Sequence, residues 1–359
     1  MSDHRTNERA SGIERAKALK AIRAVVSDEQ FARISQELVS DDEAAAMAAK
    51  IAGLTEEDEF AVLCRLMKTT SHVVPLEQSP IIPGDSIIPD FLVRFQPGLW
   101  LENKTRKEHH GFLCFVEVKS TPKLEWRISG SLLLRRRNFA AAFGLPLLFA
   151  VRFTKFPGNA YWVVVHDEDW AKKSVVVSVG GLTSSLRHIL FDEYWYLIRP
   201  GTTFEQVFST RASSGGVWHS RYGTLLEFRV VAADISLAFK GAEAAIWSAF
   251  FEAYRLEEVC RSEDGDQTVV RLKPGVDSCS IIDLVYCFNC LPSDATGKRT
   301  FDPARSIARA DSDPSALLIA DRDRIEAGAL RMQKLGILLL LGVGEPDEHS
   351  RLWRKYGGA

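Results

Sequence analysis

No stretch of this sequence is apolar for long enough to cross a bilayer. The longest apolar run near the C-terminal end, "LGILLLLGVG" (335–344), falls far short of the roughly 20 residues a spanning helix needs. The first residues, "MSDHRTNERASGIERAK", are charged and lack the apolar centre of a secretory signal, so a cytoplasmic, non-membrane protein is expected. The cysteines (64, 114, 260, 279, 287 and 290) are scattered, several in apolar runs, which predicts reduced, buried thiols rather than a disulfide framework. Cys287-x-x-Cys290 has no second pair and no nearby histidine to complete a zinc site, so it reads as packing. The glycine and histidine patterns of dinucleotide, nucleophile-elbow and zincin sites are missing. "ATGKRT" (295–300) lacks the upstream glycine and the Ser/Thr spacing of a phosphate loop. There is no repeat and no excess of one charge. At a formal net charge of −2, any nucleic-acid binding has to come from a local patch.

What is present is an ordinary globular composition, 46% apolar and 26% charged, over 359 residues, enough for two or three domains. Residues 1–54 read as an N-terminal helical segment, either scaffold or partner surface. "SDEQ" (27–30) and "SDDE" (40–43) carry the Ser-x-x-Gln/Glu spacing of a capped helix start, and "TEED" (55–58) is a weaker version. From residue 55 the pattern changes. Phe60, Leu63, Cys64 and Met67 recur at helical spacing. Strands follow at 72–79, around Asp90, and at 112–121. A helix is expected over 124–144, stopped by Gly144, and then strands at 145–153 and 159–170. The order α-β-β-β-α-β-β predicts a mixed sheet with helices on its faces, an α/β unit over 55–170. Residues 171–359 read as a separate α+β domain, with strands in 217–239, a helix over 240–263 and another over 321–336 ended by Gly336.

Two strands carry charges that a buried strand should not have. In "FLCFVEVKST" (112–121), Glu117 and Lys119 share a face with Leu113 and Phe115, while Phe112, Cys114, Val116 and Val118 fill the other. A strand apolar on both faces is interior, and charges at its end need a partner. Asp90 sits among Ile87, Ile88, Phe91 and Leu92, just after Pro89, whose missing N–H suits a strand start. If the two strands form a hairpin, Asp90 and Glu117 come side by side, and a bound cation would account for both. The connection 96–111 is long for a hairpin, as functional loops often are.

Pro89-Asp90 followed by Glu117-Val118-Lys119 resembles the PD-(D/E)-x-K nuclease superfamily, in its restriction-endonuclease-like form. The resemblance covers about residues 55–170 and implies an αβββαβ mixed-sheet core. It implies Asp90 and Glu117 as ligands of Mg²⁺ or Mn²⁺, with the Val118 carbonyl as a further ligand, and hydrolysis of DNA phosphodiester bonds. Lys119 would orient the attacking water and stabilise developing charge. It also implies a metal-linked glutamate on the first helix, Glu59, with Glu56 as the other candidate, and a homodimer or partner protein. From Lys119 to Lys155 the chain has basic residues at 119, 123, 127, 135, 136, 137, 152 and 155 against Glu125 alone, a local net of +7. Lys123, Arg127, Arg135, Arg136 and Arg137 are therefore candidates for contact with a phosphate backbone. The loop residues Lys104, Arg106, Lys107, His109 and His110 would add positive potential. Gln78 and Ser120 flank the motif. The alternatives are a catalytically inactive nucleic-acid-binding or assembly protein on the same fold, and an unrelated α/β interaction module.

Overall fold

The computed structural model describes residues 16, 18–19, 21–22, 26–38, 56–77, 85–96, 111–156, 161–211, 218–289 and 320–342. Helix α1 (Asp28–Leu38) begins as "SDEQ" suggests. Ser27 Oγ accepts from the Gln30 N–H at 3.3 Å, and the Gln30 side chain accepts from the Ser27 N–H at 3.0 Å. The "SDDE" signal, the loop bearing Lys104 to His110, Gln78 and Cys290 lie outside the described residues.

Helix α2 spans 56–67 and buries Phe60, Leu63, Cys64 and Met67, the four positions at helical spacing. It lies on one face of a five-stranded mixed sheet in the order β1 (Thr70–Pro75), β2 (Phe91–Phe95), β3 (Phe112–Thr121), β5 (Leu147–Phe153), β6 (Trp162–His166). β2 and β3 are antiparallel, β3 and β5 parallel, and β5 and β6 antiparallel. The opposite face is covered by β4 (Glu125–Ser129) and α3 (Gly130–Phe143). Phe115 and Phe149 of the sheet pack there with Ile128, Leu133 and Ala140. Gly144, at φ 65°, ends α3 as expected.

The expected helix over 124–144 therefore opens with a five-residue strand, and the helix itself starts at Gly130. Trp126 and Ile128 turn inward while Glu125 and Arg127 turn outward, a period of two, and β4 pairs with β7 (Ser174–Ser178). A similar correction applies to 240–263. The helix stops at Phe251, Arg255 takes φ 54°, and Glu257–Asp264 becomes a strand paired with Gln267–Lys273. The second half, "EEVCRSED", has no apolar helical stripe to bury, so the ladder wins. The helix of 321–336 is present as Arg322–Lys334. Its Asp321 N-cap accepts from the Arg324 N–H, and Gly336 follows at φ 72°.

Packing is continuous across the division expected at residue 170. β4 pairs with β7 beyond it, and one buried cluster runs from Phe60 to Leu338. Phe60 and Phe95 both meet the ring of Phe191, and Lys68 pairs with Asp321 and Asp323. Among the described residues, no helix is long and apolar enough to cross a membrane.

The hairpin has one tight point. A Cβ on Gly111 would lie 2.2 Å from the Phe95 carbonyl oxygen, where the β2–β3 ladder ends. Gly111→Ala must part the strands there and is expected to lower stability by about 2 kcal/mol, read by denaturant unfolding.

Candidate active site

The register settles how the two charged strands meet. Phe91 pairs with Val116 and Leu92 with Phe115, so the next position brings Asp90 beside Glu117. Leu92 and Phe115 both belong to the cluster beneath α3, which places Asp90, Glu117 and Lys119 on the α3 face. β2 begins only at Phe91, so the Val118 N–H has no strand partner on that side. Asp90 Oδ2 accepts it at 2.7 Å.

Three oxygens then gather around one cationic atom. Lys119 Nζ lies 2.6 Å from Glu117 Oε1, 2.8 Å from the Val118 carbonyl oxygen and 3.5 Å from Asp90 Oδ2. Asp90 is 4% and Glu117 1% exposed. Burial, then the neighbouring Glu117 charge, pushes the Asp90 carboxyl up to about 6, against Lys119, the Val118 N–H and Arg136. Burial also opposes ionisation of Glu117, but the Lys119 ammonium and the Arg136 guanidinium outweigh it and hold its carboxyl below the usual glutamate range. Burial lowers Lys119 while Glu117 and Asp90 raise it, and the carboxylates win. The same surroundings thus push the two carboxyls apart, Asp90 upward and Glu117 downward.

Among the described residues no group of three His, Cys, Asp or Glu side chains converges, so any cation here has two carboxylates and a main-chain carbonyl. The donors still fit a hard divalent ion. All are oxygens, the set that suits Mg²⁺ or Mn²⁺. Glu117 Oε2 is buried with no hydrogen-bond partner among the described residues, an acceptor left open.

The three consecutive arginines diverge along α3 and do not form one stripe. The Arg135 guanidinium reaches the Ser86 carbonyl at 3.5 Å, and its own carbonyl accepts from the Ile87 N–H, which ties the segment before Asp90 to the helix. Arg136 Nη2 lies 2.5 Å from Glu117 Oε1, inside the site. Arg137 is buried. It grips Asp167 through Nε and Nη2 at 2.7 and 2.6 Å, and donates to the carbonyls of Asp169, Trp170 and Lys172. Arg137 therefore holds the chain after β6 and is not presented to a phosphate backbone. Lys123 and Arg127 are exposed, and Arg127 donates to Ser174 Oγ at 3.2 Å.

Glu59 is not brought to the cluster. It is fully buried on the α2 face of the sheet, where its Oε1 accepts from Arg152 Nε and Trp162 Nε1, both at 2.9 Å. Arg152 pairs with Ser120 across β3 and β5, one step out of phase with Glu117 and Lys119, and so faces away from them. The charge of Glu56 acts on the same arginine. Arg152 needs a carboxylate partner in this interior, and Glu59 supplies it. Half-buried Ser120 shares that side of the sheet.

Arg136 is the member of the site that sequence reasoning assigned elsewhere. Its signal was available: it follows Leu133 by three residues and precedes Ala140 by four, which sets it beside the buried stripe of α3.

No family model and no curated protein matches the chain. The structure is similar to that of a Holliday junction resolvase from the archaeal hyperthermophile Archaeoglobus fulgidus. The likeness covers 37% of this chain and 96% of that chain, at a TM-score of 0.25 and 16% sequence identity. A likeness of that size carries no argument about function.

Proposed function

We propose that this chain is a metal-dependent nuclease that hydrolyses phosphodiester bonds in DNA. The observation that carries the reading is the convergence of the Asp90 and Glu117 carboxylates and the Val118 carbonyl on one cationic position, with an open Glu117 oxygen beside it. Asp90, Glu117 and the Val118 carbonyl would hold Mg²⁺ or Mn²⁺. When bound, the ion supplies Lewis-acid polarisation of the phosphate and a more acidic water. Lys119, relieved of its place among the three oxygens, would orient the attacking water and stabilise the charge that develops on the phosphate. The Val118 N–H fixes Asp90, so that carboxylate is pre-positioned. Exposed Lys123 and Arg127 would meet the DNA backbone. A homodimer or partner protein would complete the duplex-binding surface.

The test is cleavage of supercoiled plasmid and of single-stranded DNA with Mg²⁺, Mn²⁺ or EDTA. Wild type is expected to nick in a metal-dependent way. Asp90→Asn and Lys119→Ala are each expected to lose at least about a hundredfold in rate. Salt-sensitive DNA binding with no cleavage under any condition would favour a catalytically inactive binding protein. Cleavage that survives Lys119→Ala would place the chemistry elsewhere.

A further inference from the structure

Arg136 and Arg137 are neighbours on one helix, yet their guanidinium groups are satisfied very differently. Arg137 spends its N–H groups on both Asp167 oxygens and three carbonyls, a complete structural clamp. Arg136 has one contact with Glu117 Oε1 and one, at 3.2 Å, with the Leu132 carbonyl of its own helix. Its Nε is buried with no hydrogen-bond partner among the described residues. A planar fork suited to two parallel bonds is thus half used.

The Glu117 oxygen it touches is also crowded. Lys119 Nζ and Arg136 Nη2 share Oε1 at 2.6 and 2.5 Å, while Oε2 stays open. In this state the cluster is neutral: Asp90 and Glu117 against Lys119 and Arg136. A divalent ion coordinated by Glu117 would approach its oxygen to about 2.0–2.6 Å, and the two cationic side chains could not both keep their places. The cluster would then carry an excess of two positive charges, which an anionic phosphate offsets.

We propose that Arg136 is a phosphate-binding residue of this site, resting on Glu117 until a divalent cation takes that carboxylate and then turning its guanidinium to a nucleic-acid phosphate. This rests on the nuclease reading above. It makes the site's grip on DNA conditional on the ion: without the ion Arg136 is engaged internally, and with it the fork is released.

The experiment has two readouts on the full chain, neither of them cleavage. Calorimetry measures Mn²⁺ affinity without DNA. Fluorescence anisotropy measures binding of a labelled duplex in EDTA and in Ca²⁺, a hard cation of the same charge, across salt concentrations. The proteins are wild type, Arg136→Met and Arg136→Lys. Arg136→Met is expected to bind Mn²⁺ at least about threefold more tightly, because a competing cation is gone. In Ca²⁺ it should bind duplex about tenfold more weakly, with a salt slope shallower by about one phosphate contact. In EDTA it should match wild type. Arg136→Lys keeps the charge without the fork and should lie between the two. It also carries the test if the methionine variant fails to fold. Weaker Mn²⁺ binding by Arg136→Met, or duplex affinity unchanged in Ca²⁺, would overturn the proposal and leave Arg136 as a support for Glu117. Failure of wild type itself to bind Mn²⁺ would remove the nuclease reading, a different result from a wild type that binds beside an indifferent Arg136 variant.

Discussion

Glu59→Gln is expected to destabilise the protein by about 3 kcal/mol and to leave Mn²⁺ affinity unchanged. Glutamine keeps an acceptor oxygen for Arg152 Nε and Trp162 Nε1, so the hydrogen bonds can survive. The loss is the charge. Arg152 is 1% exposed, and its other bonds, to the Phe153 carbonyl and the Tyr286 hydroxyl, bring no formal negative charge. Removing one partner of a buried pair leaves an uncompensated ion, the expensive case, and Glu56 relieves only part of it. Unfolding in denaturant measures the first effect and calorimetry with Mn²⁺ the second. Replacing Glu59 and Arg152 together by methionine should be less harmful than replacing Glu59 alone, because neither charge is then stranded. A fall in Mn²⁺ affinity with little change in stability would reverse the assignment and restore Glu59 as a metal ligand.

The Asp90–Glu117 juxtaposition was legible because alternation along two strands is a local rule, and an interior strand with charges at one end has few explanations. The mixed sheet followed from the same periodicities. Glu59 and Arg152 were not legible as a pair, because they lie far apart in sequence and neither pattern names the other. A glutamate beside an apolar helical face looks the same whether its partner is a metal or an arginine. The three arginines at 135–137 show a related limit. Charge counting saw one basic stripe, but successive helix positions point about 100° apart, and each found a different acceptor. The strand Glu125–Ser129 was hidden because its pairing strand, Ser174–Ser178, comes some fifty residues later, beyond the expected domain boundary. Local pattern gave the elements; the long-range partners decided which charges were structural.

Asp90→Asn is expected to make the metal-free protein more stable than wild type at pH 8, by about 3 kcal/mol. Burial and the adjacent Glu117 raise the Asp90 carboxyl from 3.8 to about 6 in the fold. A carboxyl whose acidity weakens on folding favours the fold when protonated. That contribution is full below about pH 4 and is lost as pH rises through 6, so at pH 8 the ionised Asp90 works against the fold. Asparagine is neutral throughout and still offers an oxygen to the Val118 N–H. The advantage of the variant should therefore shrink between pH 7 and 4 and disappear below pH 4, a profile that melting across pH can trace. Adding Mn²⁺ at pH 8 should invert the order. Saturating cation raises wild-type stability by about 4.1 kcal/mol at a thousand times its dissociation constant, and the variant, short of a charged ligand, should gain far less. A variant less stable than wild type at pH 8 would mean that Lys119 already compensates the Asp90 charge. A stabilised variant that no longer answers to Mn²⁺ would identify Asp90 as a residue kept for the ion at the fold's expense.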